Sequence, residues 1–187
     1  MRLWSIRNPI EIDIINQKGV LFTDAKYIDP DYKKAYDWMA SQLEKRVKKP
    51  NEHCRYPIWA WKCWDSNRNC KPDLRTRLGK RNEELVLVEL DIPDNLVLLS
   101  EFHLWHFVLN NWYLPINEKD KLNFENTLKN SPSNCYNDLI TKSWQNIFHW
   151  EKLDPTYHGT DLGSSIQAVF WELKKEWITK IKYFKSK

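Results

Sequence analysis

Tryptophan is the residue type in this sequence that most needs a chemical reason. The chain holds 11, and three fall in YPIWAWKCWD as Trp59, Trp61 and Trp64. Successive strand residues point to opposite faces, so the three cannot share one side. At least one is expected to face out or to line a cleft. Arg55, Lys62 and Arg68 lie among or beside them. Aromatic rings beside cations stack nucleobases or a nicotinamide-type ring. The competing use of such rings is to fill the core.

Asp73 and Arg75 follow in a polar stretch. Arg75 offers a bidentate fork for phosphate or carboxylate, and Asp73 would fix that fork or act as a base. His103 and His106 lie three residues apart, on adjoining faces of one helical turn. His106, beside Trp105, is a candidate for acid–base work at a cleft. A Ser100 nucleophile paired with either histidine would lack an oxyanion-hole signature. Tyr157-His158-Gly159-Thr160 comes late, in an expected loop, and is given no role.

His53, Cys54, Cys63 and Cys70 are near one another, but the cysteines are spaced nine and seven residues apart. Structural zinc sites use tighter pairs, so no metal is expected. No secretory signal opens the chain, which points to the cytoplasm and to reduced thiols at these positions and at Cys135. No apolar run approaches the ~20 residues of a membrane span, so no membrane partner is expected.

The frame that must position these residues is one domain, 1–187, of ordinary composition: 42% apolar and 29% charged. Such a composition excludes a disordered or low-complexity chain. Four glycines leave no material for a glycine-rich phosphate loop. The net charge of +4 is modest, but cations cluster at Lys45, Arg46, Lys48 and Lys49, and again at Arg75, Arg77, Lys80 and Arg81. Such clusters could meet phosphates.

Residues 2–7 alternate and predict a strand. Pro9 opens a short helix that Gly19 closes, and Val20-Leu21-Phe22 resumes as a strand. Ala35, Trp38, Met39, Leu43 and Val47 mark one face of a helix over 34–48. Strands are predicted at 57–64, 85–92 and 97–99, with a polar loop over 65–82. Ser100 is the expected N-cap of a helix carrying Leu104, Trp105, Val108, Leu109 and Trp112. Residues 115–137 read as a polar excursion and 138–148 as a helix. From 166 to 177, Ile166, Val169, Phe170, Leu173 and Trp177 fit a helix, while Ile178, Ile181 and Tyr183 to Phe184 fit a closing strand, and spacing leaves helix or strand open over 166–177. The whole is an α+β domain, a small mixed or antiparallel sheet with flanking helices.

RLWSIR, AYDWM, YPIWAW, KPDLR, ELDIPDNLVLLSEFHLWHFVLNN and IQAVFWELKKEWI together resemble the bacterial domain-of-unknown-function family numbered 3841. The order of the first strand, the short helix ending in glycine and the later strands is also similar to ADP-ribosyltransferase-like domains. That second resemblance implies a nucleotide-binding, NAD-dependent enzyme. It would carry cofactor contacts to Arg2 or Arg7, to Tyr56, Trp59 or Trp61, and the catalytic acid's place to Gln167. A glutamine cannot act as a carboxylate, so either Glu172 substitutes or transfer chemistry is absent. On this reading Arg7, Trp61 and Gln167 converge on one cleft. Two other readings stand beside it. One is a non-catalytic module binding nucleic acid or a protein target through exposed tryptophans and basic loops. The other is an enzyme using Asp73 and His106 as base and acid.

Overall fold

Arg2–Arg7 forms β1, as its alternation predicts. The computed structural model describes residues 1–76, 78–130 and 136–187; Arg77 and Cys135 lie outside them. Asn8 caps the next element, α1 (Pro9–Lys18), by accepting from the Ile10 amide, while the Glu11 side chain accepts from the Asn8 amide. This reciprocal pair satisfies two of the free amides at a helix start. Gly19, at φ 77°, ends the helix in the left-handed region that a Cβ disfavours. β2 (Val20–Leu21) follows. α2 (Lys33–Arg46) buries Ala35, Trp38, Met39 and Leu43, the predicted face.

Three strands come next: β3 (Ile58–Cys63), β4 (Glu84–Asp91) and β5 (Leu98–Glu101). α3 (Phe102–Leu109) begins one residue later than expected: its N-cap is Glu101, whose carboxylate accepts from the Leu104 amide at 2.7 Å. Ser100 is instead a buried strand residue. The helix stops at Leu109, so Trp112 lies beyond it. The expected excursion after 115 contains α4 (Glu118–Asn130). Asn117 and Asp120 hydrogen bonds set its start. α5 (Tyr136–Ser143) passes into a 3-10 turn at Trp144–Phe148 rather than one helix, and a short α6 (Pro155–His158) occupies part of the expected loop.

The chain ends in β6 (Ile166–Phe170), β7 (Leu173–Lys174) and β8 (Ile178–Lys185). Thus 166–170 resolves as strand. β6 is buried along its whole length, and a continuous apolar run of that kind fits either state by spacing alone.

Among the described residues, six helices and two antiparallel sheets make an α+β fold. The large sheet has the order β5-β6-β3-β1-β4-β8, and β2 pairs with β7 in the small one. One face of the large sheet, carrying Leu3, Ala60, Val88, Leu90 and Phe170, packs on Ile12 and Ile15 of α1. The other, carrying Trp59, Leu98 and Val169, packs under Met39 of α2 and Leu104 and Trp105 of α3. Each apolar face is thus removed from water, the main stabilising contribution to such a fold. Among the described residues no helix is long and apolar enough to cross a membrane.

Candidate functional site

The second sheet face is apolar only under α2 and α3. Toward β4 and β8 it turns polar. Strand register places Ser100 opposite Gln167, Gln167 opposite Trp61, Trp61 opposite Trp4, Trp4 opposite Glu89 and Glu89 opposite Lys180. Directly opposed residues share a face, so one rung crosses all six strands on the same side. Its middle is aromatic and its ends are polar.

Three observations make this rung chemically unusual. First, buried polar atoms on it lack partners: Gln167 Oε1, Ser100 Oγ and Trp4 Nε1. Such groups are costly unless something completes them. Second, Glu89 is only 5% exposed within the sheet. Its carboxylate accepts from Lys71 Nζ and from Arg2 Nη2 at 2.7 Å. These two cations hold its carboxyl below the ordinary glutamate range. Third, a chain of rings runs off the rung. Trp61 meets Trp64 at 4.6 Å and Phe102 at 5.0 Å between centroids, and Phe102 meets His106 at 5.0 Å.

Beside Trp64 lies a cavity of about 430 Å³, whose lining includes Arg68, Lys71, Asp73, Arg75 and Lys182. The wall from Trp64 to Asn69 is spanned by a disulfide between Cys63 and Cys70. This corrects the expectation of reduced thiols at those two positions. The strand end and the following turn fold back so that the Trp64 amide donates to Cys70 O at 2.7 Å, a proximity that spacing in sequence does not display. Cys54 is free and buried, and burial pushes its thiol up. Among the described residues no group of three or more His, Cys, Asp or Glu is placed to hold a metal ion.

The candidates from sequence divide between the two faces. Arg2, Trp61 and Gln167 share the polar face. Arg7 does not: three residues beyond Trp4 on β1, it points to the α1 side. There it donates from Nη2 to Trp59 O at 2.8 Å and from Nε to Ser5 Oγ at 2.8 Å, and it pairs with Glu11 at 3.4 Å. Burial pushes its guanidinium down, with Glu11 opposing the shift. Arg7 is therefore a structural tie, and the expected convergence of Arg7 with Trp61 and Gln167 is overturned by strand parity.

Tyr56 is also engaged elsewhere, donating to Asp37 Oδ1 at 2.7 Å on α2. Trp59 packs against Tyr36 and Trp105 under α2 and α3. Glu172 borders a second cavity with Lys18, Phe22, Asn51, Lys174 and Glu176, by the small sheet, and pairs with Lys174 at 3.4 Å. It does not join Gln167 on the rung. Asp73 and Arg75 pair with each other: Asp73 takes the Arg75 fork, Nη2 to Oδ2 at 2.8 Å and Nε to Oδ1 at 2.9 Å, and Arg75 draws the Asp73 carboxyl down to about 2. Both line the cavity. His106 is exposed, its Nδ1 3.2 Å from Phe102 O. Of the eleven tryptophans only Trp112 is exposed, so exposed tryptophans do not form a surface.

Sequence reasoning missed Lys71, Lys182, Glu89 and Glu101. Glu89 carried a signal, a carboxylate inside the apolar run LVLVELDI. Glu101 is wholly buried, with Oε2 accepting from the Leu104 amide and Oε1 without a partner. Burial pushes its carboxyl up, and His103 opposes that shift.

No curated protein and no solved structure matches the chain. A family model described as Domain of unknown function (DUF3841) matches residues 2–179, and by that match the chain belongs to the DUF3841 family.

Proposed function

We propose that the chain is a nucleotide-binding enzyme whose ligand is NAD and whose chemistry is ADP-ribosyltransferase-like. The observation that carries this reading is the double role of Trp64. Its ring touches Trp61, and it lines the cavity with Arg68, Lys71, Arg75 and Lys182. One residue thereby joins a stacking surface to a cation-lined recess. A base stacks on the Trp61–Phe102 surface, and a diphosphate lies against the cations. Gln167 Oε1 accepts from a ribose hydroxyl.

In such a transfer the bond between ribose C1 and the nicotinamide nitrogen breaks, and its electron pair leaves with nicotinamide. An acceptor then bonds to C1 and gives up a proton. Gln167 cannot supply a carboxylate, and Glu172 lies by the other cavity. Asp73, which lines the cavity and stays ionised beside Arg75, is the carboxylate that steadies the positive charge developing at C1.

Tryptophan fluorescence titrated with NAD, ATP and a short single-stranded oligonucleotide tests this reading. Saturable quenching by NAD that Trp61→Ala abolishes, with nicotinamide release that Asp73→Asn abolishes, is the expected result. Quenching by the oligonucleotide alone, fading with salt, would replace it with the nucleic-acid-binding module. Silence towards all three leaves a protein target as the partner to seek.

A further inference from the structure

We propose that the Cys63–Cys70 disulfide is a redox latch on the cavity wall: its reduction by a dithiol loosens the wall and weakens nucleotide binding. The second half of this statement rests on the nucleotide reading above; the first stands on the fold.

The latch joins two functional parts. Cys63 is the last residue of β3, the strand that carries Trp61. Cys70 directly precedes Lys71, whose ammonium is bonded to Glu89 in the sheet. Of the six residues between the cysteines, Trp64, Asp65, Arg68 and Asn69 all line the cavity. The loop tip, 66–69, is exposed. Its non-covalent ties are polar, and many of them run within the loop itself, to Asp65. The Asn69 amide donates to Asp65 O at 2.8 Å, the Ser66 amide to Ser164 O at 2.8 Å, and Ser165 Oγ to Trp64 O at 2.7 Å. A segment with exposed hydrogen bonds and little apolar burial opens at low cost, so the covalent bond carries much of its order.

The sulfurs differ in access. Cys63 is 6% exposed, and Cys70 is half-buried. A thiolate of the dithiol therefore attacks Cys70 Sγ. The S–S bond breaks, its electron pair leaves with Cys63 Sγ, and that thiolate takes a proton. The second thiolate of the reductant then attacks its own sulfur in the mixed disulfide. Cys70 Sγ leaves and takes a proton, and the reductant ends as a cyclic disulfide. Two electrons and two protons have passed to the protein. Cys54 does not compete as an attacker, since it is buried with its thiol pushed up.

The test compares the protein before and after dithiothreitol, with a thiol count on the denatured chain to verify that two additional thiols appear. Trypsin cleavage after Arg68, followed by mass spectrometry, reads the wall itself. We expect cleavage to speed up about tenfold on reduction and to slow again on reoxidation, since cleavage follows the open population. The Cys63→Ser/Cys70→Ser variant should match the reduced protein under both conditions. Equal cleavage rates in the two redox states overturn the latch, whether or not any nucleotide binds. If that variant fails to fold, the reversible wild-type comparison decides alone. NAD affinity, measured in the same two states, should fall about tenfold on reduction. Faster cleavage with unchanged NAD affinity overturns the coupling to the site. Faster cleavage with no NAD binding in either state keeps the latch and removes the nucleotide reading.

Discussion

Lys71 reaches from the cavity wall to Glu89, buried on β4 one strand in from the sheet edge, and the two side chains are bonded. Arg2 completes the carboxylate's shell from the other side, at 2.7 Å, and rests its guanidinium 5.4 Å from the centroid of Trp4. A buried charge thus fixes both the loop cation and the start of β1.

Removing that charge should be costly. Glu89→Gln leaves Lys71 and Arg2 without their partner. Both cations are partly exposed and water reclaims them, so the expected loss is about 1–3 kcal/mol rather than the cost of a fully buried orphan. The carboxyl is depressed in the folded protein by Lys71 and Arg2. Its contribution is therefore present above about pH 4.3, the ordinary glutamate value. It is lost as pH falls through the lower folded value. Urea unfolding at pH 7 and pH 3 should show a large wild-type advantage over the variant at pH 7 and a small one at pH 3. An equal gap at both would show that the charge is not what matters.

Arg7 separates the two faces in an experiment. Its bonds to Trp59 O, Ser5 and Glu11 tie β1, β3 and α1 together on the side away from the rung. Arg7→Ala should cost about 2–3 kcal/mol, which lowers Tm by about 4–12 °C in a chain of this size. At a temperature where the variant is folded, its NAD affinity should equal that of the wild type. A specific loss of binding with unchanged Tm would return Arg7 to the ligand.

Glu101 should show the reverse pattern. Burial raises its carboxyl, so the folded protein holds this proton more tightly than the unfolded chain does. That contribution is complete below about pH 4.3 and fades as pH rises through the higher folded value. Glu101→Gln keeps an oxygen for the Leu104 amide and carries no charge to bury. At pH 7 its stability should equal the wild type or exceed it by about 1 kcal/mol. Thermal melts at pH 4 and pH 7 of the wild type and the variant check this. Strong destabilisation at pH 7 would mean that the cap needs the ionised carboxylate.

Much of the scaffold was legible from local chemistry. Asn8, Pro9 and Gly19 bracket α1 by capping rules, and β1, β3 and β4 follow from alternation and bulk. What failed did so for identifiable reasons. β6 is buried on both faces, so period could not separate strand from helix. α4 was hidden because Asn, Lys and Glu dominate Glu118–Asn130, leaving a weak apolar stripe. Ser100 outranks Glu101 as a cap by residue type, yet the strand continues one residue further. At the site, Trp61 and Gln167 were placed on a common cleft, and register puts them side by side. Arg7 was misplaced because parity along β1 has meaning only once the pairing of Trp4 with Trp61 is known.

Among the described residues the large sheet contains no β-hairpin. Every ladder in it joins strands separated by other elements. Even β5 and β6 are divided by all the helices from α3 to α6, and Thr179 on β8 bonds to Glu89 O across 90 residues. No strand can find its partner by a local turn, so each pairing must close a long loop before any contact rewards it. Such a high contact order implies slow folding. During synthesis β1 would wait for β3 and β4, and β4 in turn for β8, which makes that interval the time when this chain most needs protection from its neighbours.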